Sequence, residues 1–401
     1  MTKKSILIFG GGINQLTLIE VCNDLGFKSI VIDPSLHAVG RNIAHRFYRI
    51  DANDYQATKQ IAEENNITGI ATSQMENPLR LMAKLAQEKG YIFNSPEIIE
   101  QSLNKYQMKK VLGENNVPVA KYKYFKNKSK LSKKSIEDFN YPLIIKPVDA
   151  HSSRGVFRIE KFTDISKFID ITVSFSKQGD FLIEEFIEGK EYSIEAVTFN
   201  KKTTIVQFTE KIITPFPEVV EMGHIQPAEL TEEHKKAIAQ VVGNAIDSLN
   251  LDNTVTHTEI KLSPNGPVVI EVGPRMGGDF ISSYLTKNSC GVDLDKATIL
   301  MSVGIEPELK QTDKNFTFVK YFSLPVGTKI VSIGNFKKLE ENDDVVFTHF
   351  FLNKGDMVHK VTHSAQRSGV VIVTASNKKQ VIQKAEYYTN KFISLIKTKK
   401  I

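Results

Sequence analysis

Only two cysteines, Cys22 and Cys290, occur in 401 residues. They lie far apart in apolar helical contexts, which excludes a disulfide-stapled scaffold and a metal–thiolate site and points to reduced core thiols in a cytoplasmic protein. No apolar run approaches the length of a membrane span, and Lys3-Lys4 ahead of Ile6–Phe9 is too short for a signal peptide, so a soluble intracellular protein with no membrane partner is expected. Charge of one sign is also missing: 52 Lys and Arg against 46 Asp and Glu leave a formal +6 spread along the chain, which argues against a nucleic-acid partner. The densest basic stretch, Lys121 to Lys134, holds seven lysines but no aromatic spacing tied to a recognisable fold, and it reads as a solvated linker. There is no internal repeat and no low-complexity segment. His37, His45, His151, His234, His349, His359 and His363 show no metal-ligand spacing.

What is present is enough chain for two or three domains with real cores. The first hundred residues alternate short β runs with amphipathic helices: strands at Ser5–Phe9, Ser29–Ile32 and Gly69–Ala71, helices at Gln15–Leu25, Tyr55–Glu64 and Asn77–Glu88. This is the pattern of a parallel, doubly wound α/β domain. Its first turn, Gly10-Gly-Gly-Ile-Asn-Gln15, and Asp33 at the end of the second strand form an incomplete dinucleotide fingerprint, with Gln15 in place of the third glycine. An NAD-linked oxidoreductase is therefore one functional reading. A helix over Lys105–Glu114 closes this unit, and Val117-Pro118 opens a second. The spacing divides the chain into a Rossmann-like domain at 1–115, a central unit at 116–310 and a C-terminal α+β part at 311–401, which ends in a helix from Lys378 to Ile396.

Two carboxylates carry the most information. Glu259 lies in Thr256-His-Thr-Glu-Ile-Lys-Leu262 and Glu271 in Val268-Val-Ile-Glu-Val272, joined by Ser-Pro-Asn-Gly-Pro. The alternation and the turn predict a β-hairpin that sets the two acids opposite each other on one face, roughly 5 Å apart. Opposed like charges destabilise a sheet unless a cation lies between them, and oxygen ligands without cysteine favour a hard ion such as Mg2+, or Mn2+ in its place. The alternative is a surface hairpin with two solvated acids. Gly273-Pro-Arg-Met-Gly-Gly278 then offers Arg275 to anionic oxygens and leads to a helix expected at Asp279–Thr286, whose start would bind an anion. Upstream, Tyr141–Pro147 is a strand ending in Lys146, and Ala150–Gly155 is a small, donor-rich turn. Phe181–Glu195 reads as strand, turn at Gly189, strand. His257 shares Glu259's strand face as a packed histidine or a ligand. Thr214–Pro227 lacks either periodicity and reads as a proline-stiffened loop presenting Glu221 and His224, in use or simply exposed. Glu76, at the C-terminal end of a parallel strand, would meet a substrate amine or cap a helix.

The ordered series Asn104-Lys105, Lys146-Pro147, Ser152–Gly155, Glu184–Glu191, Glu259 and Glu271–Arg275 resembles the ATP-grasp superfamily of ligases over nearly the whole chain. Thr256-His-Thr-Glu259, Glu221-Met-Gly-His224 and Gly277-Gly278 look most like the carboxylate-amine ligases that join L-amino acids. The resemblance implies an ATP-grasp fold with an N-terminal Rossmann-like domain, a two-lobed nucleotide-binding region and a C-terminal β-rich subdomain. It implies ATP and Mg2+ as cofactors, carboxylate and amine substrates and, by analogy, a homodimer. Lys105 and Lys146 would clamp the ATP phosphates under a loop containing Ser152, Ser153 and Gly155. Glu184, Glu185, Phe186 and Ile187 would line the adenine and Glu191 the ribose. Glu259 and Glu271 would hold the metal, and Arg275 would stabilise the transferring phosphoryl group. Glu221 and His224 would contact the amino acid, with Glu76, Gly277 and Gly278 beside it. Gly273 departs from the pattern, because an Asn usually stands there; the departure leaves the number of metal ions open and admits a nucleotide-binding module without turnover as a further reading.

Overall fold

The computed structural model describes residues 4–150, 153–215, 219–312 and 315–400. β1 (Ser5–Phe9) is buried at every residue and lies in a parallel sheet with β2 (Lys28–Ile32), β3 (Arg46–Tyr48) and β4 (Ile67–Thr72), ordered β3-β2-β1-β4. A strand covered on both faces has no use for polar alternation, hence the unbroken Ile-Leu-Ile-Phe run. Leu18 and Ile19 of helix Leu16–Asp24 cover Ile6 and Ile8, while Met82 and Leu85 of helix Leu79–Lys89 cover Leu7 and Phe9.

The glycine turn after β1 is closed by the chain's own groups. Gly11 N–H donates to Asp33 Oδ2 at 2.8 Å, Ser35 N–H to Asp33 Oδ1 at 2.7 Å, and Gln15 Nε2 to the Ser73 carbonyl at 2.7 Å. Gly10 sits at φ +93°, and a Cβ there would come within 2.6 Å of Met75 Sδ. Asp33 is thus engaged by the turn, and Gln15 folds across the place where a pyrophosphate would approach. This geometry gives the oxidoreductase reading no support.

The helix Leu294–Ser302 packs on Leu16–Asp24 and places Asp295 in the interior, 2% exposed, with no hydrogen-bond partner for Oδ1 among the described residues. Burial, with the charge of Asp293 adding to it, pushes the Asp295 carboxyl up to about 7. The folded state therefore holds this proton more tightly than the unfolded chain does. The associated stability is full below the unfolded value near 4 and is lost as pH rises through about 7. Asp295→Asn is expected to be more stable than wild type at pH 8 by on the order of 4 kcal/mol, with no difference at pH 4. Denaturant titrations of both proteins across that range check it, and parallel pH profiles would refute it.

β5 (Tyr122–Phe125), β6 (Leu143–Pro147), β7 (Phe157–Ile159) and β8 (Phe181–Glu185) form an antiparallel sheet ordered β5-β8-β6-β7. The lysine-rich stretch expected to be a linker therefore begins with an edge strand. Its lysines point outward, Lys123 Nζ to the Ser135 carbonyl at 2.6 Å, while Tyr124 stacks on Tyr106 with centroids 4.2 Å apart. Lysine on an exposed edge blocks further pairing, and its abundance hid the alternation.

The remaining strands are β9 (Lys190–Phe199), β10 (Lys202–Ile213), β11 (Glu221–Gln226), β12 (Thr254–Ser263), β13 (Gly266–Gly273), β14 (Phe316–Phe322), β15 (Thr328–Ile333), β16 (Val345–Phe350), β17 (Gly369–Ala375) and β18 (Ile396–Lys400). Eight of them make one antiparallel sheet, β13-β12-β9-β10-β11-β14-β17-β16, and β15 pairs with β18. Tyr192, Ile194, Ala196 and Ile260 pack on one face beneath helix Glu232–Ser248. Strand alternation sends Glu191, Ser193 and Glu195 to the other face, in register with Lys261, Glu259 and His257. That polar face is the floor of the site. The stretch expected to be a stiff loop contributes β11 to the sheet interior, between β10 and β14. Its alternation was masked because Gly223 stands at a position where a Cβ would come within 2.6 Å of the Phe318 ring. Residues 216–218 of that stretch lie outside the described ones. No helix among the described residues is long and apolar enough to cross a membrane.

Candidate active site

Glu259 on β12 and Glu271 on β13 are register partners, as the hairpin predicts. Each already has a cation. Lys211, on β10 and 3% exposed at its side chain, lies 2.8 Å from Glu259 Oε1, 2.5 Å from Glu191 Oε1 and 3.5 Å from Glu221 Oε1. Lys105 Nζ, at the start of the helix capped by Asn104, donates to Glu271 Oε1 at 3.1 Å and to the Ala150 carbonyl at 2.7 Å. Burial opposes a charged Lys211, but three surrounding carboxylates raise its pKa well above the usual lysine value. Burial likewise opposes an ionised Glu259, and Lys211 with His257 holds it well below the usual carboxylate range. His257 Nδ1 is 2.5 Å from Glu195 Oε1, and its Nε2 is 3.7 Å from Glu259. Burial would lower the His257 pKa, yet these carboxylates lift it to about 9. His257 is thus a packed histidine between two acids, hydrogen-bonded to Glu195 and in ion-pair range of Glu259.

Among the described residues no three His, Cys, Asp or Glu side chains come together as a metal cage. Two opposed carboxylates ringed by cations instead fit a hard ion that completes its shell with phosphate and water oxygens. Glu259 and Glu271 line a cleft of about 510 Å3 together with Lys105, Lys146, Lys211 and Arg275. At one end Lys146, the penultimate residue of β6, lies 3.0 Å from Glu184 Oε1, and Lys109 lies 3.4 Å from Glu184 Oε2. Burial opposes the charge on Glu184, and the two lysines bring its pKa below the usual value. Glu185 accepts from Asn140 N–H at 2.9 Å. The Glu185 and Phe186 amides donate to the Lys121 and Pro142 carbonyls, so of the amides expected to read adenine only that of Ile187 has no recorded acceptor among the described residues. The Phe186 ring carries Lys261 Nζ 4.1 Å from its centroid. Ser153 and Gly155 both turn with positive φ, the Gly155 carbonyl accepting from Thr172 Oγ1 at 2.9 Å. Ser152 lies outside the described residues.

At the other end Arg275 Nη2 donates to Glu76 Oε1 at 2.5 Å, tying the N-terminal sheet to the hairpin. Glu76 is thus an ion-pair partner and no simple helix cap. Gly277 N–H donates to Glu195 Oε2 at 3.2 Å, and a Cβ on Gly277 would come within 2.7 Å of both Glu195 and His257. Gly278 lines the open cleft. The helix expected at Asp279–Thr286 is a π-helical turn at Ile281–Leu285 followed by α-helix Thr286–Cys290. Asp279 and Phe280 precede it in the left-handed region, and the Asp279 carboxylate is bound by Arg367 Nη1 and Nη2 at 2.8 and 2.7 Å. An acid occupies the turn where the helix start was expected to bind an anion, so that anion site is not built. His224 is 2% exposed, with Nε2 3.1 Å from Asp279 Oδ2, so it is an interior group and not one displayed by a loop. Sequence reasoning missed Lys211, Glu195, Lys109 and Arg367. For Lys211 a signal existed, since Gln207, Thr209 and Lys211 alternate with Val206 and Phe208; Arg367 had none.

A model of the ATP-grasp domain matches residues 139–283, and one of the L-amino acid ligase C-terminal domain 2 matches residues 320–392. The chain carries an ATP-grasp domain followed by an L-amino acid ligase C-terminal domain. Most of the cleft lining falls within the ATP-grasp match, while Glu76, Lys105 and Ser364 are among the residues that reach in from outside it. Alanine–anticapsin ligase of Bacillus subtilis is 27% identical over 277 residues, covering 62% of this chain and 57% of that protein. The chain matches 66% and 57% of the length of the first two curated relatives, in each case less than two thirds. The structure of L-amino acid ligase from Bacillus licheniformis superposes with a TM-score of 0.82 at 20% identity, covering 100% of this chain and 99% of that one. Phosphoribosylglycinamide synthetase from Anaerococcus prevotii superposes with a TM-score of 0.80 at 21% identity over the whole of both chains. At these identities the two structures speak for the ATP-grasp fold alone.

Proposed function

We propose that this protein is an ATP-dependent, ADP-forming carboxylate–amine ligase that joins an amino acid to a second amine-bearing substrate. The observation that carries the reading is the register-paired Glu259 and Glu271 at the floor of a cleft rimmed by Lys105, Lys146, Lys211 and Arg275. A substrate carboxylate oxygen attacks the terminal phosphorus of ATP, the bond to the bridging oxygen breaks, and ADP leaves. The amine nitrogen then attacks the acyl carbon, loses its proton, and releases inorganic phosphate. Glu259 and Glu271 would hold Mg2+, which supplies charge neutralisation between the phosphates. Lys105 and Lys146 would bind phosphate oxygens from two sides, and Arg275 would receive the charge that develops on the transferring group. The residues around Glu184 to Ile187 would hold the adenine and Glu191 the ribose, and closure of the Ser153–Gly155 turn would keep water from the acyl phosphate. Glu221 would attract the substrate ammonium; the amino-acid reading as a whole is supported by the L-amino acid ligase match over 320–392. Magnesium-dependent phosphate release stimulated by pooled amino acids is the test. ATP binding without phosphate release would leave a nucleotide-binding module, and nicotinamide reduction without ATP would favour the oxidoreductase.

A further inference from the structure

Arg367 comes from the segment just before β17, 88 positions away from Asp279 in sequence, yet its guanidinium is almost fully used at the substrate end of the cleft. Both terminal nitrogens bind Asp279, Nη1 also donates to the Glu221 carbonyl at 3.0 Å, and Nε donates to the Ser364 carbonyl at 2.8 Å. The guanidinium carbon lies 3.5 Å from the centroid of the Tyr321 ring, which is buried. Such a forked, stacked arginine is fixed in one orientation, and lysine cannot reproduce it. Asp279 in turn holds His224 Nε2, and its own backbone stands at φ +55°, a conformation that persists only where the surroundings over-determine it. Glu221 is held by Arg367 at its carbonyl, by Ser364 Oγ 3.3 Å from Oε2 and by Lys211 Nζ 3.5 Å from Oε1. None of these bonds is needed to close the sheet, because β11 already pairs with β10 and β14 on its two sides.

We infer that Arg367 is a positioning residue for the amino-acid subsite: by gripping Asp279 and the Glu221 backbone it sets the directions of the Glu221 carboxylate and the His224 ring toward the substrate. This rests on the ligase reading above. It makes the C-terminal segment part of the specificity apparatus, while the nucleotide end of the cleft is left independent of it. Lost positioning acts on the partner that the positioned groups touch, so the effect falls on the amino acid and not on ATP.

The test uses the full chain in three forms. Arg367→Met alone leaves Asp279 buried without its counter-charge and can fail to fold, so the paired variant Asp279→Leu with Arg367→Met removes both charges at once. Arg367→Lys keeps the charge and loses the fork. Expected for the paired variant are a melting temperature near wild type, ATP affinity by calorimetry within about twofold, and a Michaelis constant for the accepted amino acid raised about tenfold or more, with Arg367→Lys between the two. An unchanged Michaelis constant in the folded paired variant, or an equal loss of ATP affinity, would overturn the positioning role and leave a structural ion pair. Absence of amino-acid-stimulated phosphate release from the wild type would overturn the ligase reading itself, and the inference with it.

Discussion

Glu271→Gln and Glu259→Gln are each expected to cut ATP turnover by on the order of a hundredfold or more, because each removes an anionic ligand from a cation held between phosphates. The two variants differ in what they do to the apoprotein. Glu271 is the ion-pair partner of Lys105 at 3.1 Å, and Lys105 keeps a second acceptor in the Ala150 carbonyl, so Glu271→Gln should fold with little loss. Burial works against the Lys105 charge, yet Glu271 and the neighbouring acids raise its pKa, and the neutral variant weakens that support. Glu259 shares Lys211 with Glu191 and Glu221, so its neutral variant also leaves two acids to hold that lysine. Both enzymes should still bind ATP, with the magnesium dependence of phosphate release displaced to higher concentration. Turnover within a few-fold of wild type at low millimolar Mg2+ in either variant would remove the pair from the metal site.

The hairpin was legible because everything that defines it is local. The alternation of Thr256–Leu262 and Val268–Val272 and the intervening turn fix the register, and the register fixes which side chains face each other. The N-terminal α/β domain was legible for the same reason, its strands reading as short apolar runs between helices of regular period. β11 was not, because a strand in the interior of a sheet with one polar face needs no apolar alternation: Glu221, His224 and Gln226 have a polar cleft and polar neighbours to face, and Gly223 is dictated by the Phe318 ring on the neighbouring strand. The lysines of 121–134 misled in the opposite direction, since composition suggested solvent where pairing with β8 makes an edge. The grip of Arg367 on Asp279 was out of reach altogether. It depends on where β16 and β17 deliver the loop between them, far along the chain from Asp279, and no local pattern in the chain encodes that distance.

Lys211 is the residue whose removal should cost the folded protein most. Its ammonium lies 2.5, 2.8 and 3.5 Å from carboxylate oxygens of Glu191, Glu259 and Glu221, on a side chain 3% exposed. Lys211→Met preserves the stem and removes the charge, which leaves three acids facing one another with His257 as the nearest remaining cation to Glu259. Breaking a buried pair from one side typically costs about 3–5 kcal/mol, because the surviving charge loses its partner without regaining water. Here three charges share one partner, so a loss at the upper end of that range is expected in denaturant titrations of the apoprotein. The carboxylates can recover by binding a cation or a proton, which gives the prediction a second edge: Mg2+ with ATP should restore more stability to Lys211→Met than to wild type, and so should lowering the pH toward the carboxylate range. Phosphate release should stay depressed even when stability is restored, since the restored ion would be drawn toward Glu191 and Glu221 and away from the position between Glu259 and Glu271. A Lys211→Met protein that loses less than about 1 kcal/mol, or that gains no more from Mg2+ and ATP than wild type does, would mean that the three acids are solvated enough to dispense with the lysine.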